Sequence, residues 1–161
     1  MKRTLLAALA AALFAWQLWT GAAAALQLDD EARTVVLNED GKTVVITLKE
    51  TKRGQRLFGD ICAQCHKGGA NKANPNIDLS PEIMAGAEPA RDNVENLVDY
   101  IKHPTTYDGE VDISELHPCT ERSDLFGEMR NLSEDDLYVL SGYILMQPNT
   151  NPLWAASKAY L

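Results

Sequence analysis

Histidine and cysteine are scarce in this chain, with three of each among 161 residues. Three cysteines make a poor disulfide framework. A zinc knuckle needs two ligand pairs, and outside Cys62, Cys65 and His66 only Cys119, His103 and His117 remain to supply a second. Basic side chains are also in deficit, at 15 Lys and Arg against 23 Asp and Glu. That balance excludes unaided binding to nucleic acid, whose phosphates would repel the chain, and to an anionic lipid surface. No internal repeat breaks the sequence, and its length suits one compact domain.

Long apolar runs are missing except at the start. Lys2 and Arg3 precede an alanine-rich apolar stretch from Leu5 to Trp19, and Ala22 to Ala25 offer small-residue cleavage positions. This is the layout of a secretory signal peptide, and the stretch is short for a membrane span. The expected division is therefore 1–25 removed on export and 26–161 mature. Residues 1–25 hold two of the 15 basic side chains and none of the 23 acids, so the remainder carries 13 against 23, a formal charge of −10. A protein so charged is expected to be soluble and to meet basic patches on other proteins, though acidity also serves solubility alone.

The cysteines that are present fall in a pattern. Cys62-Ala63-Gln64-Cys65-His66 is the C-x-x-C-H haem attachment motif. Two thiols at this spacing reach the two vinyl groups on one porphyrin edge, and the adjacent imidazole is carried to the iron as proximal ligand. A chain of this composition contains the motif by chance about once in a thousand. A thioredoxin-like redox pair is the rival reading, but it needs a βαβ context that is missing here.

The surrounding pattern is that of a mainly α protein. Lys52 to Ile61 reads as a helix leading into the motif, with Leu57, Phe58 and Ile61 on one apolar face. Gly54, one turn before Phe58, leaves room for another helix to cross closely. The expected partner begins at the N-cap Ser133, with Asp136 as capping-box residue and Leu132 and Leu137 as a staple. It continues through Leu140 and Ile144 to a stop at Pro148. A third helix is predicted from Asp92, boxed by Glu95, to Pro104, and shorter turns are predicted at Ser80-Pro81 and Ser123. Ahead of these, Thr34 to Leu37 and Thr43 to Leu48 are β-branched runs joined by Asn38-Glu39-Asp40-Gly41, a hairpin signal. The expected architecture is a class I c-type cytochrome helical domain over 50–161 with a β-hairpin extension over 26–49. A lone hairpin is marginal, so it must pack on the helical body or on a partner.

Candidates for a sixth iron ligand are His103, His117, Met84, Met129 and Met146. Met84 and Met146 read as core. His103 directly follows the third helix, where an imidazolium would suit the negative end of the helix dipole. His117 lies mid-loop before the stiffening Pro118. These residues alone leave His117, Met129 and His103 in contention.

Several runs carry a more specific signal. Pro89-Ala90-Arg91-Asp92-Asn93-Val94, Lys102-His103-Pro104-Thr105-Thr106-Tyr107-Asp108-Gly109, Glu115-Leu116-His117-Pro118, Met129-Arg130-Asn131-Leu132 and Asn74-Pro75 resemble the cytochrome c-550 family, extrinsic lumenal subunits of photosystem II. The resemblance spans the mature chain, hairpin included. It implies one covalent haem c on Cys62 and Cys65, ligated by His66 and by His117, since the family's distal histidine lies in the matching His-Pro run. It further implies a non-catalytic role on the lumenal face of the thylakoid, without membrane insertion. There the subunit contacts intrinsic lumenal loops and other extrinsic subunits, stabilises the manganese–calcium cluster and helps retain calcium and chloride. Two features depart from the family: Cys119, read as a small packed side chain, and a tail from Trp154 to Leu161 without a glycine run. The competing class is a mobile lumenal or periplasmic electron carrier. A peroxidase would require a vacant distal site.

Thioether attachment is directly testable. Haem should stay with the polypeptide through acid–acetone extraction and denaturing electrophoresis, and replacing both Cys62 and Cys65 with Ala should abolish that retention. Release of haem from the unaltered protein would overturn the attachment.

Overall fold

The computed structural model describes residues 29–155. The expected signal peptide and the tail beyond Ala155 lie outside the described residues. The chain is mostly helical with one small two-stranded antiparallel sheet, consistent with a cytochrome c fold.

The sheet pairs β1, Thr34–Val36, with β2, Thr43–Val45, in the register Thr34 to Val45 and Val36 to Thr43. Gly41, at φ 76°, supplies the left-handed turn residue between them. β2 ends sooner than its apolar run suggests because Thr47 serves the next element. Its hydroxyl accepts from Glu50 N at 3.2 Å, while Glu50 Oε2 accepts from Thr47 N at 2.7 Å. This capping box starts helix α1 at Leu48–Leu57, four residues before the expected Lys52.

The hairpin lies on the helical body, as its marginal stability requires. Val35 and Ile46 join Val94 and Met146 in a small core, and Ile46 is fully buried. Burial of a side chain that size contributes about 1.5–3 kcal/mol. The carbonyl of Leu37 also accepts from Glu95 N at 3.0 Å, tying the hairpin to the first turn of the next long helix.

After α1 the chain widens into a π-helical turn, Phe58–Cys62, then tightens into α2, Ala63–His66, and a short 3₁₀ turn, Lys67–Gly69. Helix α3, Pro81–Ala85, follows Ser80 with proline at its first position, although the Ser80 hydroxyl donates to Asp78 rather than capping. Helix α4 spans Val94–Lys102. Its N-cap is Asn93, not the expected Asp92: Asn93 Oδ1 accepts from Asn96 N at 3.0 Å. Adjacent Asp and Asn both have capping side chains, and only the three-dimensional path of the chain chooses between them. Ser123 lies in an unwound turn, and the nearby short helix is the 3₁₀ segment Gly127–Met129.

Helix α5, Glu134–Thr150, has the expected Ser133–Asp136 capping box. It does not stop at Pro148. Proline removes the donor to Ile144 O, yet the helix runs on for two residues, and its end is held by Thr150 Oγ1 donating to Met146 O at 3.2 Å and Asn151 N to Gln147 O at 2.8 Å. The main core gathers Phe58, Leu97, Ile101, Leu137, Leu140, Ile144 and their neighbours between α1, α4 and α5.

Helices α1 and α5 cross at Gly54. A Cβ built there would lie 2.4 Å from Val139 O and 2.5 Å from Tyr143 Cβ. Gly54→Ala should therefore destabilise by about 1–3 kcal/mol, although alanine is the better helix former. Thermal melts would register this as a fall of several degrees in Tm. Gly59→Ala, where a Cβ meets nothing within 4 Å, is the control. Equal melting of the two variants would refute the close crossing.

Candidate functional site

The motif is presented by local geometry rather than by a long helix. Cys62 ends the π turn, while Cys65 and His66 lie on α2. Cys65 is exposed and Cys62 half-buried. Burial pushes the Cys62 thiol up to about 12, the opposite of the acidic thiol a redox pair requires. Immediately after His66 the chain reverses through Gly68 and Gly69, at φ 66° and 83°. Gly69 leaves space for Trp154, since a Cβ would fall 2.8 Å from the indole. Trp154 Nε1 donates to Leu79 O at 3.0 Å and Ala155 N to Gly68 O at 2.8 Å. The end of the described chain thus braces the loop that follows the motif.

On the other side of the site, His117 sits in a turn closed by its own N–H donating to Ile113 O at 2.9 Å. The rings of His66 and His117 face each other with centroids 6.2 Å apart and planes inclined by 50°. An imidazole bound to a metal places its centroid about 3.1 Å from the ion, so two on opposite faces stand about 6.2 Å apart. The separation of the two rings equals that of two imidazoles sharing one metal ion.

Their hydrogen bonds fix which nitrogen is free. His66 Nδ1 lies 3.0 Å from Ala70 O, and His117 Nδ1 lies 3.0 Å from Pro118 O. Carbonyl oxygens only accept, so each Nδ1 carries the proton and each Nε2 keeps its lone pair. Burial lowers the pKa of both rings. For His117 burial, followed by the neighbouring His66, pushes it down to about 4. Both are neutral at pH 7, the form that binds metal.

The remaining candidates lie elsewhere. His103 ends α4 and is exposed, with Nδ1 3.0 Å from Glu121 Oε2. Met84 and Met129 belong to the main core and Met146 to the smaller one. Cys119 is fully buried beside the His117 turn, its Sγ 3.7 Å from Ser114 O.

Sequence reasoning missed two neighbours of the site. Tyr100, on α4, places its ring 5.2 Å from that of His117, and the Arg91 guanidinium stacks 3.8 Å above Tyr100. A tyrosine in an apolar helix and an arginine before it are unremarkable as sequence. Trp154 was visible only as an aromatic residue in the tail.

The model of the cytochrome c-550 domain matches residues 26–161. A protein named photosystem II extrinsic protein V from Aphanothece halophytica is 51% identical over 161 residues, covering 99% of each chain. Another of that name from a Cyanothece species is 52% identical over 149 residues, covering 92% of each. Among solved structures, a crystal structure of cytochrome c549 superposes with a TM-score of 0.76 at 55% identity, covering 79% of this chain and 99% of that one.

If His117 supplies the second axial nitrogen, His117→Met should shift the optical spectrum towards a His/Met type. It should also raise the reduction potential, because thioether sulfur favours ferrous iron. His103→Gln should leave both nearly unchanged. The reverse pattern would make His103 the ligand.

Proposed function

The chain belongs to the cytochrome c-550 family, and from that premise we propose that it is a haem-bearing extrinsic subunit of photosystem II. In this role it binds the lumenal side of the complex, stabilises the manganese–calcium cluster and helps retain calcium and chloride. The names of its full-length relatives support the location. The facing pair His66 and His117 carries the argument for a non-catalytic role.

A cytochrome c domain implies covalently bound haem, which supplies a one-electron ferric–ferrous couple when present. Cys62 and Cys65 would hold one such group through thioethers, in a class I arrangement. His66 and His117 would both ligate its iron, and two strong nitrogen donors would leave no site there for peroxide or dioxygen. The Ala70 and Pro118 carbonyls keep each imidazole in its ligating tautomer. On this reading no side chain performs chemistry on a substrate. Export would remove 1–25 and deliver the acidic mature chain to the lumen, where it contacts intrinsic lumenal loops and other extrinsic subunits.

Among the described residues no helix is long and apolar enough to cross a membrane. Retention on a thylakoid would then depend on binding to protein, with charge as a large component. Exposed charge pairs weaken as the Debye length falls to about 3 Å at 1 M salt. A high-salt wash of photosystem II membranes should therefore release the protein without detergent. Oxygen evolution should fall most when calcium and chloride are scarce, and readdition should restore it. A form carrying a redox-silent metal in the porphyrin should restore most of the activity. Full activity of washed membranes without added ions would defeat the stabilising role. Restoration by the redox-active form alone would favour an electron carrier.

A further inference from the structure

Arg91 takes no part in the reading of the axial ligands, yet it is built into their surroundings. Its side chain is 7% exposed, and a guanidinium stays charged at any physiological pH. Burying such a charge is costly unless its donors are satisfied. Here Nη2 donates to the carbonyls of Thr105 and Thr106 at 3.1 and 2.8 Å. The Cζ atom lies 3.8 Å above the Tyr100 ring. Nε is buried with no hydrogen-bond partner, and among the described residues no carboxylate forms an ion pair with Arg91.

Both groups that Arg91 holds lead to His117. Thr105 and Thr106 begin the loop that delivers it: Thr105 bridges to Asp112, Ile113 N donates to Pro104 O at 2.9 Å, and Ile113 O accepts from His117 N at 2.9 Å. The Tyr100 ring stands 5.2 Å from the His117 ring at an inclination of 59°. Guanidinium, phenol and imidazole are therefore contiguous, with the cation over the Tyr100 ring and that ring tilted against His117.

We infer that Arg91 is a positioning and charge-setting residue for His117. By clamping the 105–106 carbonyls and the Tyr100 ring it fixes the distal imidazole, and its buried charge raises the reduction potential of iron held between His66 and His117. The inference rests on the reading of His117 as an axial ligand. Reduction places one electron on the iron and lowers the positive charge of the site by one, so a fixed cation nearby favours the reduced state. In a water-poor environment that effect is weakly screened. Lysine would keep the charge but lose the planar guanidinium, which stacks on the Tyr100 ring while its Nη2 reaches both carbonyls.

The test uses the full chain as holoprotein, with low-temperature EPR and an equilibrium redox titration of the unaltered protein, Arg91→Gln, Arg91→Lys and Tyr100→Leu. The unaltered spectrum comes first: a signal other than low-spin bis-imidazole ligation overturns His117 as ligand, and the inference with it. Given bis-imidazole ligation, Arg91→Gln should lower the potential and shift the low-spin g values. Arg91→Lys should retain most of the potential while shifting the g values, and Tyr100→Leu should also shift them. Equal falls in potential for Gln and Lys would overturn the role of charge. Unchanged g values in Arg91→Lys and Tyr100→Leu would overturn positioning, even where Arg91→Gln does not accumulate.

Discussion

The fold has to bring two imidazoles from segments about fifty residues apart in sequence to 6.2 Å, each with its Nδ1 tied to a backbone carbonyl. Helix geometry alone cannot meet that demand, because neither ring stands on a long regular element. His66 ends a four-residue helix and His117 sits in a turn. The spacing is held from behind. On the His66 side, Gly68, Gly69 and Trp154 lock the reversing loop. On the His117 side, the Thr105–Asp112 bridge and the Ile113 carbonyl set the turn. The three long helices serve as the frame to which both loops are fastened.

The frame explains several small residues. Gly54 lets α1 approach α5 until their backbones nearly touch, and Gly142 leaves room for Ile46, whose Cδ1 would lie 2.4 Å from a Cβ there. The hairpin is thereby part of the core rather than a loose appendage. An extension packed in this way cannot move without disturbing Met146 and Val94, which share its cluster. Stabilising the fold is one task of the extension, whatever contacts its outer face makes.

Much of this was legible in the sequence because it is written in short-range chemistry. The C-x-x-C-H motif, the Ser133–Asp136 box, the glycine before Phe58 and the hairpin turn each need only a few adjacent residues. Element boundaries were less legible wherever one residue could serve two elements. Thr47 is a good strand residue and also an N-cap, and its hydrogen bonds with Glu50 decide for the helix. Asp92 and Asn93 differ by one position, and Pro148 carries a stop signal that the helix overruns by two residues. The π turn at Phe58–Cys62 has no comparable local mark.

The site shows the same division. His66 follows from the motif, whereas the residues alone left His103, His117 and Met129 open. In the structure His117 lies beside His66, His103 is an exposed partner of Glu121, and Met129 is packed in the main core. Arg91 was the least legible residue, since an arginine in an acidic chain reads as surface. Yet an acidic chain is where a buried cation stands out. The exposed carboxylates are dispersed in water and screened over about 10 Å at ordinary salt, while the Arg91 charge is enclosed beside the Tyr100–His117 ring pair. Distance and burial, not net charge, therefore decide which sign of potential the His117 ring experiences.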